Sequence, residues 1–123
     1  PSTAQKAGIA ALNNAKADVD FMRAIYNERR IYIIERLKQM GFIIHTEPHG
    51  AFYVFCDARK FTSDSYHFAF DVLHVGITPG IDFGTGGEGF VRFSYANSFE
   101  NIRTAMDRIE EYLHKIMTNN QIE

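Results

Sequence analysis

The chain predicts an α+β domain, an α/β sandwich in which helices cover one face of a small antiparallel or mixed sheet. Three observations carry that expectation. Segments with apolar residues at helical spacing open and close the chain. Between them lie short β-type runs, residues 51–56 and 90–96, set off by glycine and proline. The 123 residues, 46% hydrophobic and 14% aromatic, suffice for one buried core and no more.

Taken in order, Ser2 and Gln5 have capping-box spacing, so an alanine-rich helix is expected over residues 3–13, broken at Asn13-Asn14. A longer helix is expected over 18–40. Met22, Ile25, Ile33, Leu37 and Met40 fall near one stripe of it, and Gly41 stands where a left-handed terminus favours glycine. Residues 42–45 read as a short strand, Pro48-His49-Gly50 as a turn, and 51–56 as a strand apolar on both faces. Thr62 or Ser63 is expected to cap a helix over 64–74 with Phe68 and Val72 inward.

Residues 75–78 lead to a turn at Pro79-Gly80. The glycine-studded segment 84–89 has neither the lysine nor the following helix of a phosphate loop, and reads as a flexible hairpin connection. A strand over 90–96 follows. Asn97 and Glu100 repeat the capping-box pattern, opening a closing helix with Ile102, Ala105, Met106, Ile109, Leu113 and Ile116 on its inner face. The tail beyond Met117 is expected to be loosely held.

A net charge of −2 with acids and bases interspersed provides no basic field for nucleic acid. No apolar run reaches membrane-span length. The single cysteine, Cys56, rules out a disulfide within the chain and a two-thiolate metal site, and fits a reducing, cytoplasmic setting. Cys56 lies in an apolar run where thiols are usually inert. The histidines (His45, His49, His67, His74, His114) show no metal-ligand spacing, and Lys6, Lys16, Lys38, Lys60 and Lys115 occupy polar settings. No metal ligand and no catalytic residue is assigned.

Arg92 is the exception to the apolar character of its run. On a strand, Val91, Phe93 and Tyr95 share one face, while Phe90, Arg92, Ser94 and Ala96 share the other. A permanent charge there needs an anionic partner or water. Its planar fork matches a carboxylate in two parallel hydrogen bonds. A small-molecule carboxylate, a structural ion pair and a head group snorkelling to solvent all satisfy it. The turns Pro48-His49-Gly50-Ala51-Phe52 and Thr78-Pro79-Gly80-Ile81-Asp82-Phe83 bring proline, glycine and a phenylalanine to strand ends, where the rings are expected to wall a pocket around Arg92, although turn chemistry and core packing account for each alone.

As an ordered set, these segments resemble the C-terminal small domain of class I/II aminotransferases, fold-type I enzymes that use pyridoxal phosphate. The similarity runs from Pro1-Ser2-Thr3-Ala4-Gln5, through the long helix with Tyr26, Arg29-Arg30 and Leu37, to Pro48-His49-Gly50-Ala51-Phe52-Tyr53. It continues in Val75-Gly76-Ile77-Thr78-Pro79-Gly80 with Phe83 and Gly84, and ends in Gly89-Phe90-Val91-Arg92-Phe93-Ser94-Tyr95-Ala96 and the last helix.

The resemblance implies amino-group transfer between an amino acid and a 2-oxo acid. Arg92 would grip the substrate α-carboxylate, with Gly50 and Phe52 at the pocket rim. Residues 1–17 would end a large-domain or linker helix, 18–118 would be the small domain, and 119–123 a flexible tail. The Schiff-base lysine, the phosphate-holding arginine, the aspartate of the pyridine nitrogen, the asparagine and the ring-stacking aromatic have no match here and are expected upstream of Pro1. The chain therefore reads as a fragment, inactive alone, with no cofactor-binding residue of its own. Its expected partners are the substrate, the large domain of the same polypeptide and a second subunit of a homodimer. Alternatives are a non-catalytic amino-acid-binding regulatory module, the same domain from a pyridoxal-phosphate-dependent lyase, or a dimerisation domain.

Overall fold

A computed structural model describes residues 1–71 and 75–119. Two helices lead, α1 (Ser2–Asn14) and α2 (Lys16–Met40). No residue of α1 is buried. The expected Ser2–Gln5 box does not form, because Ser2 already lies inside the first turn and Pro1 precedes it; only the Pro1 carbonyl accepts from Gln5 N–H, at 3.2 Å. In α2 the buried stripe is Ile33, Ile34 and Leu37. Met22, expected inward, is exposed, and Ile25 and Met40 are half-buried. Burial is confined to the second half of this helix, so its first half follows no core stripe. Gly41 takes the left-handed conformation, φ 98°, and its N–H closes the helix on the Leu37 and Lys38 carbonyls.

Residues 42–45 do not form a strand. The chain bends at His45-Thr46 after one antiparallel bridge between Ile43 and Asp57. Phe42 instead enters the core, its ring 4.9 Å from Phe61 and 5.8 Å from Phe93. The sheet consists of β1 (Tyr53–Asp57), β2 (Ile77–Pro79) and β3 (Phe90–Ser94) in the order β1-β3-β2, all antiparallel. Pro79, which has no N–H to donate, is tolerated because β2 is an edge strand.

Helix α3 (Ser65–Asp71) precedes β2, and α4 (Phe99–Asn119) closes the chain. Asp64 caps α3, its Oδ1 accepting from His67 N–H at 2.8 Å. Neither Thr62 nor Ser63 does so; Thr62 Oγ1 supports the turn by accepting from Asp64 N–H at 3.0 Å. Val72, the end of that expected helix and the tail from residue 120 onward lie outside the described residues. The α4 cap sits one residue later than expected: Ser98 Oγ accepts from Asn101 N–H at 3.2 Å, while Asn97 Oδ1 accepts from Ser98 N–H at 2.8 Å.

The core lies between the sheet and the helices on one side of it. Val54, Cys56, Val91, Phe93 and Tyr95 meet Ile33 and Leu37 of α2 and Ile102, Met106, Ile109 and Leu113 of α4. Phe68 of α3 joins the same cluster. Strand β1 is thus one-sided, since Phe55 points to the other face and stays 43% exposed. Arg36 clamps α2 to α4, donating to Tyr32 Oη at 2.9 Å, Asp107 Oδ1 at 3.0 Å and Glu110 Oε2 at 3.1 Å.

The β2–β3 connection is a built structure and not a slack loop. It runs through two 3₁₀ turns, Gly80–Phe83 and Thr85–Gly87. Glu88 ties it to α3, its Oε1 accepting from Ser65 N–H at 2.6 Å and from Gly89 N–H at 2.9 Å.

Candidate carboxylate-binding site

Alternation along β3 sends Val91 and Phe93 into the core and turns Phe90 and Arg92 to the opposite face. Register then surrounds Arg92: Phe55 lies directly across on β1, Thr78 directly across on β2. The guanidinium carbon lies 4.2 Å from the centre of the Tyr53 ring and 4.7 Å from that of Phe83. Nη2 donates to Thr78 Oγ1 at 3.4 Å. None of the ion pairs among the described residues includes Arg92. Of its five N–H donors, one is directed at Thr78 and four remain for a carboxylate.

The surroundings form an aromatic floor. Phe55 stacks on Phe90 at 5.2 Å with ring planes 9° apart, and meets Phe83 edge-on at 6.0 Å. Phe52 packs on Tyr53 at 4.5 Å, so Phe52, Tyr53 and Arg92 form a continuous series of contacts. Gly50 is placed elsewhere. With Tyr26, Arg30, His49 and Tyr95 it lines a cleft of about 300 Å³, on the side of β3 opposite to Arg92. Nor does Gly50 supply the special backbone geometry of this turn. Ala51 does, at φ 59°, with Tyr95 Oη donating to its carbonyl at 3.2 Å.

The sequence places Thr78 only within its turn and gives Tyr53 no place beside Arg92. Their proximity to Arg92 is set by strand register, which the alternation of each strand alone does not specify. Phe83 was placed near Arg92 by its position after Pro79-Gly80, and its ring lies 4.7 Å from the Arg92 guanidinium carbon.

The buried carboxylate nearest the sheet serves another arginine. Asp57 Oδ1 accepts from Arg59 N–H at 3.0 Å and Arg59 Nε at 2.9 Å, Oδ2 meets Arg59 Nη2, and His45 Nε2 stands 3.2 Å away. The hydrogen bonds from the Arg59 guanidinium hold the Asp57 carboxyl well below the usual carboxylate range. Burial pushes the Cys56 thiol up to about 12, the opposite of an activated nucleophile. Lys16, Lys38 and Lys115 are engaged in exposed pairs with Asp20, Glu47 and Glu111, and Lys60 lies over Phe61. His67 pairs with Asp71 at 3.0 Å on the surface. Among the described residues no group of three or more His, Cys, Asp or Glu is placed to hold a metal ion, and no helix is long and apolar enough to cross a membrane.

Comparison with known proteins gives the family of the chain. Residues 1–109 match the family "Aminotransferase class I and II", and the chain belongs to that family. It is 43% identical over 117 residues to an aspartate aminotransferase of Pyrococcus horikoshii, covering 91% of this chain and 30% of that protein. It is 37% identical over 118 residues to a valine–pyruvate aminotransferase of Mycobacterium tuberculosis, covering 92% and 30%. Among solved structures, a Methanococcus jannaschii protein described as similar in its active site to kynurenine aminotransferases superposes with a TM-score of 0.84 at 33% identity. That match covers 92% of this chain and 31% of the other. The chain thus spans about 30% of the length of the curated relatives it matches.

Pyridoxal phosphate, the general cofactor of this family, is not fitted by the residues in hand. The floor around Arg92 offers aromatic rings, one hydroxyl and one guanidinium, with no amine to bond an aldehyde.

Proposed function

We propose that this chain is the small-domain part of a pyridoxal-phosphate-dependent transaminase that moves an amino group between an amino acid and a 2-oxo acid. Arg92 binds the substrate α-carboxylate. One observation carries this reading: a half-buried guanidinium on an aromatic sheet face, outside every ion pair found among the described residues. A partly buried charge with no carboxylate partner among the described residues fits a site completed by a ligand.

Pyridoxal phosphate, held by residues outside this chain, would supply the electron sink. Arg92 contributes orientation. Two parallel N–H···O bonds would fix the plane of the carboxylate and hence the orientation of the substrate Cα. Phe52, packed on Tyr53, stands at the rim of this site, and Gly50 borders the adjoining cleft.

Residues 1–17 belong with the large domain or its linker, which accords with α1 burying none of its side chains. Residues 18–118 make the small domain. The remaining partners are the large domain of the same polypeptide and a second subunit in a homodimer, and the isolated chain is expected to be inactive. In the full-length enzyme Arg92→Lys keeps the charge but loses the fork, so KM for the amino acid rises roughly 10- to 100-fold. The absorbance of the bound cofactor stays unchanged. An unaltered KM would refute the assignment of Arg92.

A further inference from the structure

We infer that Tyr53 and Phe83 are positioning residues for the Arg92 guanidinium, acting through their ring faces, and that they set how tightly the carboxylate is held. This rests on the reading of Arg92 given above and adds two residues to it. Three contacts define the head group: the Tyr53 ring at 4.2 Å, the Phe83 ring at 4.7 Å and Thr78 Oγ1 at 3.4 Å. The hydroxyl contact is long for a hydrogen bond and fixes little alone. Ring faces, by contrast, carry negative charge density that attracts a cation and leave its in-plane donors free. An acidic residue in the same place would occupy the donors that a substrate needs.

The two rings come from independent parts of the fold, which makes the arrangement specific. Tyr53 opens β1 and lies on a diagonal from Arg92, since its direct partner on β3 is Ser94. Phe83 ends the first 3₁₀ turn of the β2–β3 connection, which Glu88 ties to the start of α3. Phe83 is 53% exposed, and the ring contacts it makes are with Arg92 and Phe55. The Tyr53 hydroxyl is engaged in none of the hydrogen bonds found among the described residues, which assigns the work to the ring.

The test is steady-state kinetics on the full-length enzyme. Tyr53→Leu and Phe83→Leu each raise KM for the amino acid roughly 3- to 30-fold, the factor expected of one cation–ring contact at a partly desolvated site. Changes in kcat stay smaller, and bound-cofactor absorbance is retained. Tyr53→Phe keeps the ring and retains the parent KM. Because KM is independent of the concentration of active enzyme, partial misfolding does not mimic the effect.

Arg92→Lys is measured alongside. If it raises KM while both leucine variants do not, the positioning role is overturned and Arg92 stands. If Tyr53→Phe is as impaired as Tyr53→Leu, the hydroxyl and not the ring is responsible, which also overturns it. If Arg92→Lys leaves KM unchanged, both readings fall together.

Discussion

Gly80 and Gly87 are packed backbone to backbone across the β2–β3 connection. A methyl group added at Gly80 would stand 2.6 Å from the Phe90 carbonyl oxygen and closer still to that of Gly87. One added at Gly87 would stand 2.7 Å from the Gly80 carbonyl carbon. Both obstacles are backbone atoms and cannot rotate away. Gly80→Ala or Gly87→Ala should therefore destabilise the fold by about 1–3 kcal/mol or more, an overpacking cost. Each should also raise KM, because Phe83 lies between the two glycines. Thermal melts together with kinetics check this; a variant of parent stability would show that the contact yields easily.

Asp57 is the acid-sensitive point of the sheet. Its carboxyl pKa is depressed in the fold, so its contribution to stability is present above the unfolded-state value near 4 and is lost as pH falls toward the folded value. Arg59 is 61% exposed, and screening reduces what the pair is worth. Asp57→Asn should cost about 1–2 kcal/mol at pH 7, and the difference from the parent should shrink below roughly pH 4. Urea unfolding at pH 7, 5 and 3 measures it, and a pH-independent difference would contradict the ionic origin.

Cys56 should behave as a buried hydrophobe. With burial pushing its thiol up to about 12 and no exposure of the residue, a thiol reagent at pH 8 should label it only on unfolding. Labelling at the rate of a free thiol in native protein would contradict this. Cys56→Ser should cost about 1–3 kcal/mol for burying a hydroxyl in its place.

The Arg36 clamp divides unequally. Asp107 is 59% exposed and Glu110 46%, so losing either carboxylate should cost no more than about 1 kcal/mol. Arg36→Ala should cost more, about 2 kcal/mol, because the stem and the contact with the Tyr32 ring go with the charge. Double-mutant cycles between 36 and 110 separate the two; equal losses from either side would show that charge alone holds α2 to α4.

Much of this architecture could be read before any coordinates. Apolar spacing located α2 and α4, Gly41 marked a real left-handed stop, and alternation placed Val91 and Phe93 opposite Arg92. The errors came where a local rule met competition. Ser2 and Asn97 look like caps by spacing, yet the neighbouring Pro1 and Ser98 take the boundary position. Residues 42–45 have strand composition, but the chain bends at His45-Thr46 after the single Ile43–Asp57 bridge, with Phe42 in the core.

For the site, Arg92 stood out as a lone charge in an apolar run; Phe52 packs on Tyr53, whose ring lies by the Arg92 guanidinium, and Gly50 lines a separate cleft with Tyr95. Thr78 was read only as part of its turn and Tyr53 was given no place beside Arg92, since cross-strand neighbours depend on a pairing that no single segment encodes.

The division of β3 between two tasks has a consequence for change over time. Val91 and Phe93, with Tyr95 just beyond the strand, hold the molecule together, and Phe90, Arg92 and Ser94 lie on the other face, where the ligand is proposed to bind. A substitution on the second set leaves helix packing untouched. New ligand preferences can thus be tried on one side of the ribbon while the other keeps the domain folded, and only a shift of register by one residue would force both to fail at once.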